Sequence, residues 1–449
     1  MMHTALGMAL VLGALASLFL GIRCWKSARS IHPEVARKTL HVGMGLVTLS
    51  FPWLFNRPEP VWILAAIAMA GLIGLRMARQ RYEDVAGVLL GVQRKSLGEF
   101  YFIFGVAILF TLSGGELLLY SIPVLILTLA DATAAIMGVR YGTRHYTTAE
   151  GTKTIEGSFA FFAVSFISTI VPLVLLSDIS FGKAVAISAT LGLLIMLLEA
   201  VALGGRDNIY LPLGAYALLR TYLFMNWVGV ALCLAVAVGL VILVVLWRRR
   251  TNLDDAALLG AALTGYAAWA VGGLIWLVPP MILFLLYLII FPVRPLESPG
   301  RLSVHAVVSV TGAGLFWLLI QSTLKHEALF YVYTLSFSCQ LGITGITALA
   351  HQYPRGSMLS HLPRAALPSW FAMFAPYVVI RGIGTPSLIQ LGWGLIVTAI
   401  AYAAFFYLQP EIREDPLDTA RWFRQGILGA IASALGMIPF IFMQGASFG

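Results

Sequence analysis

Charged residues are scarce in this chain. Asp, Glu, Lys and Arg make up 11% of its 449 residues, where a soluble domain carries about 25%. Too few polar side chains remain to coat a water-soluble globule of this size. Cysteine is nearly absent: Cys24, Cys233 and Cys339 are scattered without metal-ligand spacing, which excludes a disulfide framework and a zinc site. There is no G-x-x-x-x-G-K-[ST] loop and no H-R-D motif, so the soluble nucleotide-kinase signatures are missing. Positive charge is also missing ahead of the first apolar run, and appears only after it at Arg23, Lys26 and Arg29. A secretory signal has the opposite order. The run from Met1 to Leu20 therefore reads as an uncleaved first span with its N-terminus outside.

What is present is apolar length. The chain is 59% hydrophobic, in runs close to the roughly 20 residues that a helix needs to cross a bilayer. The expected fold class is all-α, a polytopic transmembrane bundle of about 14–16 spans. The net charge of +9 does not point to nucleic acid, because the Lys and Arg residues lie in short loops between apolar runs. Under this span assignment, 24 of the 29 Lys and Arg residues fall in alternate loops. Those loops are expected to be cytoplasmic by the positive-inside rule. The expected location is a bacterial-type plasma membrane or an intracellular membrane. The Arg248–Arg249–Arg250 triplet suggests a boundary between residues 1–250 and 251–449.

Polar residues inside or at the end of a membrane helix are expensive and require a reason. They cluster in five places, all at the expected cytoplasmic ends of spans: Arg37–Lys38 with His41; Arg94–Lys95 with Glu99; Asp131, leading to Gly138, Arg140 and Gly142; Lys153 to Ser158; and Glu199, followed by Arg206–Asp207–Asn208. These residue types suit phosphate chemistry. Magnesium is commonly held by one or two carboxylates plus substrate phosphates, and Asp131, Glu199 and Asp207 are the available carboxylates. Lys153, Arg140 and Arg206 supply cations. Gly157 and Ser158 open a helix, where free N–H groups attract phosphate. The role of Glu156 beside them stays open. Spacing alone thus implies a phosphate-handling site at the cytoplasmic face.

The run Asp131-Ala-x-Ala-Ala-x-x-Gly138-x-x-x-Gly142, then Lys153-Thr-x-Glu156-Gly157-Ser158, then Glu199 and Asp207-Asn208-x-x-x-Pro212 resembles the polyprenol kinase family, which includes dolichol and phytol kinases. That family is related to membrane cytidylyltransferases such as CDP-diacylglycerol synthase. The segments Arg37–Lys38–x–x–His41 and Ser96–x–Gly98–Glu99 fit the same resemblance, which covers roughly residues 30–225. It implies transfer of the γ-phosphoryl group of CTP to a lipid alcohol such as phytol, geranylgeraniol or a polyprenol, with a divalent cation. It implies Asp131 and Asp207 as cation ligands and Lys153, Arg140 and Arg206 as charge neutralisers, with a carboxylate or His41 as base. Lys38, Arg94 and Glu99 join the site in lesser roles. Membrane lipids, the lipid alcohol and a nucleotide are the expected partners; nucleic acid is not, and self-association is left open.

Two other functions compete. A cytidylyltransferase acting on a lipid phosphate is expected to end in G-H-G-G-x-x-D-R-x-D, whereas this chain has Gly204–Gly205–Arg206–Asp207–Asn208. A transporter is expected to carry its polar residues near the midplane of several spans, not at one face. Residues 251–449 match none of the kinase motifs, and their role is not readable.

Overall fold

A computed structural model describes residues 2–28, 33–77, 97–148, 151–202, 204–290, 301–326, 328–353, 357–382, 384–409 and 419–440. The chain is a multi-pass integral membrane protein of the all-α class. Among the described residues, nine helices are long and apolar enough to cross a membrane, and three shorter apolar helices accompany them. Large apolar side chains such as Leu175, Phe224 and Val245 stand more than half exposed. Such exposure is stable where the surrounding solvent is lipid. The backbone polar groups of a helix are satisfied internally, as a bilayer requires.

The chain divides into two compact units, residues 1–238 and 239–449. The first contains α1 (Met2–Ala28), α2 (Pro33–Leu49), a single turn at Phe51–Leu54, α3 (Glu59–Met77), α4 (Gly98–Ser113) and α5 (Leu117–Tyr141). A hairpin of β1 (His145–Thr148) and β2 (Gly151–Thr154) follows, then α6 (Ile155–Leu176), α7 (Phe181–Val201) and α8 (Asp207–Phe224). Then comes α9 (Trp227–Trp247), within which the boundary between units falls. Pro33 opens α2, where its missing N–H removes no helical bond. The second span was expected to begin at residue 39. Starting at 33 instead places Lys38, and not only His41, within the helix.

The centre of the first unit is α5, whose Tyr120, Ile122, Val124, Ile126 and Leu127 are fully buried. It is not a uniform helix. Pro123 lies inside it and provides no N–H for the preceding turn. Just beyond, Ile126–Ala130 widens into a π turn before the α-helix resumes at Asp131. α2 packs closely here: a Cβ added to Gly45 would lie 2.0 Å from Thr128 Oγ1. Only glycine admits that approach.

The hairpin departs from an all-helical expectation. His145–Tyr–Thr–Thr and Gly–Thr–Lys–Thr154 are rich in β-branched and aromatic residues, which favour extended backbone. Gly151 turns the chain with φ +123°, a conformation that side chains disfavour. Antiparallel pairing sets Tyr146 opposite Lys153.

Contacts distinguish the two ends of the first unit. At one end, Lys183 donates to Leu223 O at 2.8 Å, and Tyr216 OH donates to Leu112 O at 2.7 Å. Tyr120 OH also donates there, to Thr48 O at 2.9 Å. The other end gathers the start of α2, the C-terminal half of α5, the hairpin, the end of α7 and the starts of α4, α6 and α8.

The second unit contains α10 (Asp255–Gly272), α11 (Leu274–Ile290), α12 (Val304–Leu324) and α13 (Ala328–Gln352), followed by α14 (Met358–Arg381), α15 (Thr385–Leu408) and α16 (Thr419–Leu435). Its central helix is α13. The polar side chains buried on it satisfy one another or backbone. Gln425 Nε2 donates to Gln340 Oε1 at 2.9 Å, and Tyr402 OH donates to Ser338 O at 3.0 Å. At one edge of this unit Arg248 holds Asp255 bidentately at 2.5 and 2.7 Å. Arg301 donates to Thr251 O at 2.6 Å.

Candidate active site

The polar end of the first unit holds two lysine–carboxylate pairs, one buried and one half-buried. In the first, Lys38 Nζ donates to Asp131 Oδ2 at 2.6 Å. Lys38 comes from α2, and Asp131 is the first residue after the π turn of α5. Both residues are at least nine-tenths buried. His41, one turn along α2 from Lys38, places Nε2 3.2 Å from Leu127 O and 3.7 Å from Asp131 Oδ2. A carbonyl can only accept, so Nε2 carries the proton in this contact, and in the neutral imidazole Nδ1 then has the lone pair. Phe102 of α4 meets the imidazole edge-on, with centroids 5.0 Å apart.

The π turn is central to this geometry. It shifts the hydrogen-bond register of α5 and sits immediately before the acid. The carbonyl that receives His41 lies within it, at Leu127. Such bulges recur at functional sites.

In the second pair, Lys153 Nζ donates to Glu199 Oε1 at 2.6 Å and to the backbone carbonyl of Glu199 at 2.7 Å. Lys153 thus also caps the last turn of α7, where the helix dipole favours a cation. The charges of Asp131, Lys38 and Lys153 all act on Asp207. Its Oδ1 accepts from the Asn208 N–H at 2.9 Å. Asn208 Nδ2 donates to Gly98 O at 2.9 Å, which ties α8 to the start of α4.

Several expected site residues have other work in the structure. The amide of Gly157, expected among the free donors, is taken by Thr154 Oγ1 at 3.1 Å. The three glycines serve packing. A Cβ on Gly138 would lie 3.0 Å from Thr154 Oγ1, one on Gly142 2.4 Å from Thr154 Cγ2, and one on Gly157 3.0 Å from Ala134 O. They let α5 and α6 cross backbone to backbone, a close approach that phosphate contact does not require. Glu156 is exposed. It accepts from Thr143 Oγ1 at 2.5 Å and from the Arg144 N–H at 3.3 Å, closing the loop that leads into the hairpin. Ser158 shares a 2.8 Å hydrogen bond with Tyr146 OH. Glu99 pairs with Arg76 at 3.3 Å.

Arg206 is exposed at the turn before α8. Arg140 is exposed at the end of α5, 5.4 Å from the ring centroid of Tyr141. Arg94 lies outside the described residues.

Asp131, Glu199 and Asp207 do not form a ready metal cage. No group of three His, Cys, Asp or Glu side chains able to hold a metal occurs among the described residues. Two of the three carboxylates are held by lysines. Asp131 and Asp207 nevertheless lie within each other's field, and two carboxylates completed by substrate phosphates are a common magnesium arrangement.

Sequence reasoning missed Thr154, Tyr146, Arg76 and the π turn. Two signals were available. Thr154 stands three residues before the amide it caps, which is N-cap spacing. Pro123 inside an apolar run marks a helix that cannot stay regular.

No protein-family profile matches the chain, and no solved structure matches it. Part of the chain is similar to a phytol kinase of Synechocystis sp., with 29% identity over 188 residues, covering 40% of this chain and 76% of that protein.

Proposed function

We propose that the polar end of the first unit transfers a phosphoryl group from a nucleoside triphosphate, CTP by resemblance, to the hydroxyl of an isoprenoid alcohol at the cytoplasmic face of the membrane. The observation that carries this reading is the placement of Lys38–Asp131 and Lys153–Glu199 at one end of an apolar bundle, with Asp207 in the field of both. The similarity to a phytol kinase supports it. Phosphoryl transfer calls mainly for positioning and charge stabilisation, and this end of the bundle is rich in both.

In this reading Asp131 and Asp207 would hold a divalent cation together with the nucleotide phosphates. The cation's contribution when bound is to neutralise phosphate charge. Lys153 and the exposed Arg206 and Arg140 face the triphosphate, and an anionic ligand competes with Glu199 for Lys153. The alcohol oxygen bonds to the γ-phosphorus as the bond from that phosphorus to the β-phosphate bridging oxygen breaks, releasing the nucleoside diphosphate. The hydroxyl proton passes to the lone pair of His41 Nδ1. The alcohol approaches from the bilayer, so its hydroxyl meets the site at the interface.

The test uses purified full-length protein with γ-labelled CTP or ATP, magnesium and a panel of phytol, geranylgeraniol, longer polyprenols and diacylglycerol. CTP-dependent labelling of an isoprenoid alcohol, lost in Asp131→Asn, is the expected result. Labelling of no alcohol by protein that binds CTP overturns it and points to cytidylyl transfer onto a lipid phosphate.

A further inference from the structure

Between the end of α3 and the start of α4 lies a groove that the kinase reading has not used. Its walls are Ile73 and Met77 from the last turns of α3, and Leu97 and Phe100 around the start of α4, with Arg76 at its rim. Its volume is about 500 Å³, within the range of roughly 300–1,000 Å³ typical of ligand pockets. Ile73, Met77 and Leu97 are 49%, 81% and 44% exposed, so this wall is open to the surroundings rather than packed in the protein interior.

We propose that this groove holds the hydrocarbon chain of the alcohol substrate, an isoprenoid chain lying against α3 and α4 with its hydroxyl toward α8. This deepens the kinase reading and rests on it. Three observations commit the groove to that occupant. First, its walls are apolar and its single charged side chain is at the rim, which matches an amphiphile with one polar end. Second, the element that walls the groove also ties to the site's element: Leu97 precedes Gly98, whose carbonyl accepts from Asn208 Nδ2 at 2.9 Å, and Asn208 follows Asp207. Third, Arg76 is held in place by Glu99 at 3.3 Å and by the Phe100 ring, whose centroid is 4.7 Å from the guanidinium. The one cation lining the groove is thus paired and stacked rather than left as a bare charge beside a hydrocarbon.

Filling the groove discriminates by chain length. In Ile73→Trp and Leu97→Trp, the ratio of kcat/KM for a long isoprenoid alcohol to that for a short, water-soluble one falls by roughly tenfold or more. Val171→Trp, on the exposed face of α6, leaves the ratio at its wild-type value. An unchanged ratio in both groove variants overturns the proposal. A second measurement needs no turnover. Wild-type protein in phosphatidylcholine vesicles is photolabelled with a diazirine-bearing isoprenoid alcohol. Label is expected on peptides containing Ile73–Met77 or Leu97–Phe100, displaced by unlabelled isoprenoid alcohol but not by added phospholipid. Label elsewhere, or displaced equally by both, marks an ordinary lipid-facing surface and overturns it. Wild-type protein that phosphorylates no alcohol yet shows the specific label refutes the kinase reading and leaves the groove standing.

Discussion

A lysine ammonium buried against a carboxylate has lost its water and depends on its partner. Lys38 and Asp131 are 2.6 Å apart and nearly without exposure. Removing one member leaves the other charge uncompensated, whereas replacing both with apolar groups is often tolerated. Lys38→Met is therefore expected to cost about 3–5 kcal/mol of stability, read as a fall in thermal midpoint in detergent. The double variant Lys38→Met, Asp131→Leu is expected to recover most of that loss while remaining inactive in alcohol phosphorylation. A double variant as unstable as the single one would mean that the pair is not the coupling. Lys38, His41, Asp131, Lys153, Glu199 and Asp207 were legible in the sequence because a charge in an apolar run needs a reason. Their pairing was not. Lys38 and Asp131 are 93 positions apart, and only the packing of α2 against α5 selects lysine rather than arginine as the partner of the acid. The glycines misled for a related reason. Gly138, Gly142 and Gly157 mark a close approach, but a sequence does not say whether a ligand or another helix makes it.

At the level of elements, the site depends on how α2 and α5 approach each other and on where α5 loses its regular register. Gly45 is the contact point. An added methyl group would meet Thr128 Oγ1 at 2.0 Å, and Thr128 is fully buried with that hydroxyl unpartnered. Gly45→Ala is expected to destabilise the unit by about 1–3 kcal/mol, the usual range for overpacking. Thr128→Ala, which removes the obstructing atoms and an unsatisfied hydroxyl, is expected to restore the thermal midpoint when combined with it. If the combination is no better than Gly45→Ala alone, α2 and α5 do not meet there. In the second unit, Asp254 caps α10 by accepting from the Ala257 N–H at 2.7 Å. It lies in the polar turn before that helix. Burial pushes its carboxyl up to about 6, from an unfolded value of 3.8. The folded state then binds the proton more tightly than the unfolded one. Its contribution to stability is greatest below about pH 4 and is lost as pH rises to about 6. Asp254→Asn keeps a capping side chain and is expected to remove this part of the pH dependence between 4 and 6, seen by thermal denaturation across that range. A variant with the wild-type slope would place the titration elsewhere.

The molecule as a whole sets two lysine–carboxylate pairs at one end of one unit and hydrogen-bonded polar side chains along the central helix of the other. Each unit has its own central helix, α5 or α13, and a sequence match covering 40% of the chain leaves much of it without a counterpart. Residues 1–250 expressed alone are accordingly expected to retain alcohol-dependent phosphoryl transfer. Its complete loss in protein that still spans the membrane would make the second unit part of the active enzyme. The helical class was readable from apolar length and charge placement, because a bilayer leaves a chain few alternatives. The hairpin was not, because a ten-residue stretch between spans is too short for periodicity to register. Orientation is the remaining global property, and charge gives the expectation to test: 24 of the 29 Lys and Arg residues fall in alternate loops of the expected topology, which the positive-inside rule would place in the cytoplasm. Arg206 and Arg220 lie at opposite ends of α8, and both are exposed. Among the native cysteines, Cys233 and Cys339 are buried and Cys24 is exposed. In a Cys24→Ser background, Arg206→Cys is expected to react with a membrane-impermeant maleimide only from the cytoplasmic side of oriented vesicles. Arg220→Cys is expected to react only from the other side. The reverse pattern would put the carboxylates on the face away from cytoplasmic nucleotide, and a nucleotide-dependent kinase could not work there.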